Sequence, residues 1–410
     1  MRPRGAGLDR GLREGARPAA PAGWPVSGIL PARIRRTLGR YPGTLVGICL
    51  LLLAVSLLTL RSASLTPDGR LLPYLQRQVI WASAGLFVFG ALSLTPYDRL
   101  TRRSLPVYLL GLVALAAVFV VGTKVNGARR WFAIGPIRVQ PSEFMKYGVI
   151  LALAHAIALR GQRIQSWGGL AEVGAIAAIP FLMVAAQPDL GTALTYIPIV
   201  ASMVFVAGAR LKHLAALVGA GLAALPIAWI FLLKDYQKGR ILSFLDPSAN
   251  ALGGAYQTTQ SVIAVGAGGA FGRGYLQGTQ GPLGFLPERH TDFIFAVICE
   301  DFGLIGGVLV LGLYGYLFVT LARIARQCRD MEGRLIVVGV LAVTVMQVSV
   351  NVGMALGVAP VTGLTLPLVS YGGSSLVSAM IGFGLAASVA SSRPLVFHRA
   401  PVPERVALRR

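Results

Sequence analysis

"GTLVGICLLLLAVSLLTL", residues 43–60, runs eighteen residues without a charge. At about 1.5 Å of rise per residue a helix of that length reaches ~27 Å, close to the ~30 Å hydrocarbon core of a bilayer. Lipid offers no partner to a backbone N–H or C=O, so such a run crosses the membrane as a helix or does not cross it. Comparable runs recur along the chain. They predict spans at 43–60, 75–95, 105–122, 143–159, 169–187, 190–208, 211–233, 292–321, 335–356 and 370–391. A chain of 410 residues that is 55% hydrophobic and 13% charged is no soluble globular domain. No period-2 alternation of the outer-membrane-barrel kind appears. The predicted fold is all-α: a polytopic membrane protein of about ten helices with a large outer loop, 234–291, between spans seven and eight.

The formal charge of +22 raises the question of nucleic acid, and the distribution answers it. Nine arginines fall in residues 2–40 and five in 393–410, outside the spans. No nucleic-acid-binding module accompanies them, so no nucleic-acid partner is expected. Basic flanks of this kind mark a cytoplasmic face and its anionic lipids. Residues 1–40 are expected to be a basic disordered cytoplasmic tail and 396–410 a second basic tail, with a membrane domain over 41–395. The short loops 96–104, 160–168, 209–212 and 322–334 are also basic and alternate in the register ten spans require, which predicts both termini inside. Cys49, Cys299 and Cys328 have no metal-ligand spacing and no disulfide framework.

Nine basic residues break that rule. Lys124, Arg129, Arg130 and Arg138 fall in one predicted outer loop, and Lys234, Lys238, Arg240, Arg273 and Arg289 in another. Solvation explains one or two. Nine in two loops point to an anionic ligand, most naturally phosphate, held at the outer face. The apolar stretch 258–280 predicts that the larger loop is ordered, with a short re-entrant or interfacial helix. Its "GAGGAFGRG" (266–274) lacks the βαβ setting of a dinucleotide site, so its glycines are assigned to close packing or turns.

The segment "FLPERHTDFIFAVICEDFG" (285–303) concentrates carboxylates at the mouth of an apolar run. Asp292 begins the eighth span and fits two readings. It, or Thr291, caps the helix; or it is a general base at the lip of a cavity, where desolvation raises its pKa. Glu300 lies roughly 12 Å further along the axis at helical rise, beyond the roughly 5–9.5 Å of a glycoside-hydrolase pair. Glu300 and Asp301 therefore read as structural. Glu143 and Lys146 stand three apart on one face and can pair. His155, His213, His290 and His398 form no metal motif.

Four segments together resemble one family, the SEDS proteins of shape, elongation, division and sporulation. They are "NGARRWFAIGPIRVQPSEFMK" (126–146), "QPDLGTAL" (187–194), "GYLQGTQGPLGFLPERHTDFIF" (274–295) and "GVAPVTGLTLPLVSYGGSS" (357–375). The resemblance covers about 41–395, with the motifs in order, and leans toward the RodA branch over the FtsW branch. It implies a peptidoglycan glycosyltransferase that polymerises lipid II at the outer face and releases undecaprenyl pyrophosphate. The family's essential aspartate matches Asp292, its membrane ion pair Glu143 and Lys146, and its outer-loop tryptophan Trp131. On that reading Asp292 is the base, and Arg129, Arg130, Lys238, Arg240, Arg273, Arg289 and His290 are candidates to hold the substrate with Trp131. A divalent cation, Mg2+ or Mn2+, could share the task, bound by Asp292 or by phosphate oxygens; no organic cofactor is implied. The implied partners are lipid II, membrane lipids and a class B penicillin-binding protein acting as transpeptidase. A lipid II flippase and a non-catalytic scaffold for a wall synthase are the competing readings. A flippase, however, should line a central cavity with cations reaching the cytoplasmic side.

Overall fold

The computed structural model describes residues 42–392 apart from 67–68, 126–127, 136, 247–253 and 281–282; the two predicted tails lie outside the described residues. Nine helices among the described residues are long and apolar enough to cross a membrane. They include α1 (Gly43–Ala63), α2 (Tyr74–Leu94), α3 (Ser104–Val121), α4 (Pro141–Arg160) and α5 (Trp167–Ala186). The predicted span 190–208 is shorter and broken: α6 (Leu190–Leu194) and α7 (Tyr196–Val206) meet at Thr195. Asp189 caps α6 by accepting from the Thr192 N–H at 3.3 Å, and that cap starts the first piece as a separate turn.

Next comes α8 (Leu211–Ile227), whose His213 is buried against Trp167, ring centroids 4.4 Å apart, and whose Leu214 is half-buried against the core, while its other residues stand outward. The outer loop contains α9 (Asp235–Leu245) and α10 (Gly254–Gly268), the second of which answers the expectation of a short ordered helix. The bundle closes with α11 (Ile294–Gln327), α12 (Met331–Ala355) and α13 (Gly373–Ser391). The loop 123–139 adds what an all-helical reading did not foresee. It folds as a three-stranded antiparallel sheet, β1 (Thr123–Val125), β2 (Ala128–Ile134) and β3 (Ile137–Val139).

Small residues let the helices approach, as expected where lipid tails remove the usual hydrophobic drive between helices. Gly85 of α2 faces Leu376 and Met380 of α13, and Gly384 of α13 faces Phe89 of α2. The core runs through α11, α12 and α13, with Phe293, Leu317, Leu335, Val340, Phe383 and Ala387 almost wholly enclosed.

α11 is not continuous. Gly303 adopts φ 69 and ψ −165 and breaks it. A helix broken inside a bundle exposes backbone groups that must find partners. The loop after α10 supplies them. Arg273 N and Gly274 N donate to the carbonyls of Glu300 and Asp301, and Leu304 N and Ile305 N donate to those of Gly269 and Ala270. A β-carbon on Gly303 would stand 2.3 Å from Gly272 N, and one on Gly272 2.2 Å from Asp301 O. The glycine-rich stretch is thus a packing surface for the break.

Connections sort to two ends. One end holds the β-sheet, 187–190, the described parts of 233–292, and 356–372. The other holds the basic turns: Tyr97 donates to Asp330 at 2.8 Å, and His155 Nδ1 lies 2.7 Å from Glu332.

Candidate active site

The chain between Pro287 and Ile294 is a tight turn, and it decides what Asp292 does. Glu288, at φ 50, accepts at its carbonyl from the N–H groups of Thr291, Asp292 and Phe293. α11 then starts at Ile294 with Phe293 in the cap position and no side-chain cap. The capping reading of Asp292 or Thr291 therefore fails, and the Asp292 carboxylate is left for other work.

Three successive carbonyls of this turn are pinned. His290 O accepts from Tyr371 N at 2.8 Å, Thr291 O from Ser370 Oγ at 2.6 Å, and Asp292 O from Asn351 Nδ2 at 2.9 Å. Gln78 Nε2 holds Ser370 O at 3.2 Å from the α2 side. The Arg289 guanidinium is buried and donates to Ala63 O and Leu65 O, each at 2.7 Å, tying the turn to the end of α1. That makes Arg289 a strut, in contrast to the free phosphate ligand expected of it. The His290 ring stacks on Tyr74 at 4.1 Å, and burial lowers its pKa.

Above the turn lies the loop 356–372. Gly363 sits at φ +80, and a β-carbon built there would be 3.8 Å from Asp292 Oδ2. Arg240 of α9 donates to Val361 O at 3.0 Å, two residues away. Asp292 is part-buried. Desolvation, reinforced by the Glu288 carboxylate, pushes its pKa up to about 7, against smaller opposing effects of the Thr291 hydroxyl and Arg240. A carboxylate poised near neutrality can take a proton and pass it on. Lys238 lies on α9 two residues before Arg240, part-buried.

The sheet residues form a second group. Arg130 donates to Gln187 O at 3.0 Å and to Pro188 O, and lies 3.8 Å from Asp189. Arg129 donates to Phe119 O at 3.3 Å, and part-buried Trp131 pairs with Thr123 across the strands. This group reaches the first through the "QPDLGTAL" segment: a β-carbon on Gly191 would stand 2.6 Å from Thr362 O, beside Gly363. Arg273 belongs to neither group; its Nη1 donates to Thr279 Oγ1 at 2.9 Å. Glu300 accepts from Thr279 N at 2.6 Å and Gln280 N at 2.9 Å, so it holds the loop, as its depth suggested.

Inside the bundle Lys146 Nζ lies 2.8 Å from Glu143 Oε2, both buried, and Ser378 Oγ donates to the same oxygen at 3.1 Å. One turn earlier Gln140 Nε2 donates to Asp189 Oδ2 at 2.8 Å. Asp189, Gln140, Asn351 and Ser370 were not singled out from the sequence. Two amides four residues apart in an apolar span, Gln347 and Asn351, were the available signal for Asn351.

Among the described residues no group of three or more His, Cys, Asp or Glu could hold a metal by itself. Asp292 with Glu288 nearby nevertheless suits Mg2+, which is commonly bound by one or two carboxylates together with substrate phosphates. Such an ion would offset charge on a departing pyrophosphate.

A family model described as cell cycle protein, FtsW/RodA/SpoVE, matches residues 43–394. Over 357 residues the chain is 38% identical to the peptidoglycan glycosyltransferase MrdB of Escherichia coli K12, covering 86% of this chain and 94% of that one. Over 352 residues it is 37% identical to the stage V sporulation protein E of Bacillus subtilis, covering 84% and 95%. Among solved structures it resembles a chain of a peptidoglycan synthase complex that coordinates polymerization and crosslinking, with TM-score 0.73, 37% identity and coverage of 85% and 97%. The rod shape determining protein RodA of Thermus thermophilus matches with TM-score 0.64 and 34% identity, covering 85% and 96%.

Proposed function

The chain belongs to the FtsW/RodA/SpoVE family and is a peptidoglycan glycosyltransferase, and from that premise we propose that it polymerises lipid II with Asp292 as general base. The donor sugar is joined to a lipid pyrophosphate, a good and strongly anionic leaving group. The remaining tasks are to deprotonate the attacking sugar hydroxyl and to hold the pyrophosphate as charge builds on it. Asp292 does the first, its proton affinity set near neutrality by burial and by Glu288. Arg240 and Lys238, with Arg129 on the sheet, supply positive charge for the second, while Arg130 is tied to Gln187 O, Pro188 O and Asp189 and braces the sheet. A single displacement inverts the anomeric centre to the β-1,4 linkage and releases undecaprenyl pyrophosphate. It needs one base and no covalent sugar–enzyme bond.

The observation that carries this reading is the Asp292 carboxylate itself. It is free of a capping role, perturbed toward neutral pH and fixed at the joint of two loops that share one end of the bundle with the cations. Basic loops at the opposite end support placing that end and both termini in the cytoplasm, with synthesis at the outer face. The likeness to a synthase complex supports a class B penicillin-binding protein as partner, and the RodA and MrdB relatives support a role in elongation.

The test is lipid II polymerisation by purified wild type and Asp292→Asn, with moenomycin present to silence contaminating classical glycosyltransferases. Polymer from the wild type alone, with the variant equally folded, is the expected result. Equal polymer from both removes Asp292 from the chemistry.

A further inference from the structure

Of the three carbonyls pinned in the catalytic turn, one is held by a side chain that lies wholly inside the bundle. Asn351 is 0% exposed on α12. Its Nδ2 donates to Asp292 O at 2.9 Å and to Leu364 O at 2.8 Å. Two carbonyl acceptors on one nitrogen fix the amide orientation, because the oxygen turned the same way would face lone pairs on both sides. Asn351 Oδ1 has no hydrogen-bond partner among the described residues. A buried acceptor without a partner is unfavourable, and an aliphatic side chain of similar size would avoid it. The amide is kept for its two donors.

What they join is specific. Leu364 follows Gly363, the residue against the Asp292 carboxylate. The clamp therefore sets the main chain of Asp292 and the loop facing its carboxylate at one fixed distance. Ser370 and Tyr371 fix Thr291 and His290, while Asn351 reaches Asp292 itself. We propose that Asn351 is a positioning residue for glycosyl transfer, holding the base and the 361–364 loop in register so that the carboxylate meets the acceptor hydroxyl. This rests on Asp292 being the base.

The charged and titratable groups near that base are Glu288, Arg289 and His290 on its own turn, Arg240 from α9 and Tyr371 from the closing loop. None belongs to α12 beside Asn351, so the titratable group nearest a new carboxyl at 351 is Asp292 itself, whose main chain residue 351 contacts. Asn351→Leu removes both donors. Asn351→Asp keeps the shape but can donate one hydrogen bond only while protonated.

The experiment compares full-length wild type, Asn351→Leu, Asn351→Asp and Asp292→Asn for lipid II polymerisation between pH 5.5 and 9, a range of about 1.5 pH units or more either side of the base. Thermal unfolding is followed in parallel. Asn351→Leu is expected to lose about 10²-fold in kcat, the cost of roughly 1 Å of misplacement, with KM within about 3-fold of wild type. Asn351→Asp is expected to show a falling alkaline limb that wild type lacks, since deprotonation of residue 351 breaks the clamp. If Asn351→Leu does not fold, that alkaline limb decides the matter alone. Wild-type kcat and pH profile in the folded Asn351 variants, with Asp292→Asn inactive, overturns the positioning role and leaves the base in place. An active Asp292→Asn overturns the base, and the role of Asn351 with it.

Discussion

At the scale of single residues, the proposed role of Asp292 as base ties the pH dependence of the reaction to the surroundings of its carboxylate. A base must be ionised to accept a proton, so activity is expected to rise with pH through about 7 and then level off. Glu288 raises that pKa and Arg240 lowers it. Glu288→Gln should therefore move the acid limb to lower pH and Arg240→Gln to higher pH, read from kcat/KM profiles of the purified enzyme. An acid limb that stays in place in both variants would mean that neither charge is felt at Asp292. Asp292→Asn should lose at least about 10²-fold, the usual contribution of a positioned proton acceptor.

The elements add constraints that no residue carries alone. The break in α11 and the loop 269–274 are one structure, because each provides the hydrogen-bond partners the other lacks. Gly303→Ala places a methyl against Gly272 N and puts a non-glycine residue at φ 69. It should lower stability by at least about 1–3 kcal/mol, the range for enforced backbone strain, seen as an earlier thermal unfolding in detergent. The Glu143–Lys146 pair makes a different prediction. Lys146→Met leaves a buried carboxylate uncompensated and should cost about 3–5 kcal/mol, whereas adding Glu143→Gln should recover much of the loss. Equal stability of the single and double variants would show that the pair is not coupled. Both elements were partly legible. The 258–280 stretch promised order and the i, i+3 spacing promised a pair, but nothing local said that the glycines answer a helix broken thirty residues downstream.

For the whole molecule, the prediction is one of sidedness. Asp235→Cys, on the end that holds Asp292, should react with a membrane-impermeant maleimide in intact cells. Arg163→Cys, on the opposite end, should react only after permeabilisation. The native Cys49, Cys299 and Cys328 are buried, which keeps the background low. Labelling of the two in the reverse order would invert the molecule and move synthesis to the wrong face. The sequence by itself determined the helical membrane class, most of the spans, the basic and less basic ends, and Asp292 with the Glu143–Lys146 pair. It could do so because hydrophobic length and i, i+3 spacing are local, and lipid allows few other structures. Only the tertiary structure decided that Asp292 is no helix cap, that Arg289 braces the turn instead of standing free, and that Asn351 ties the Asp292 main chain to the loop whose Gly363 faces the Asp292 carboxylate. Those facts depend on which of several carbonyls a distant side chain reaches, and residues 292, 351 and 364 become neighbours only when the bundle closes.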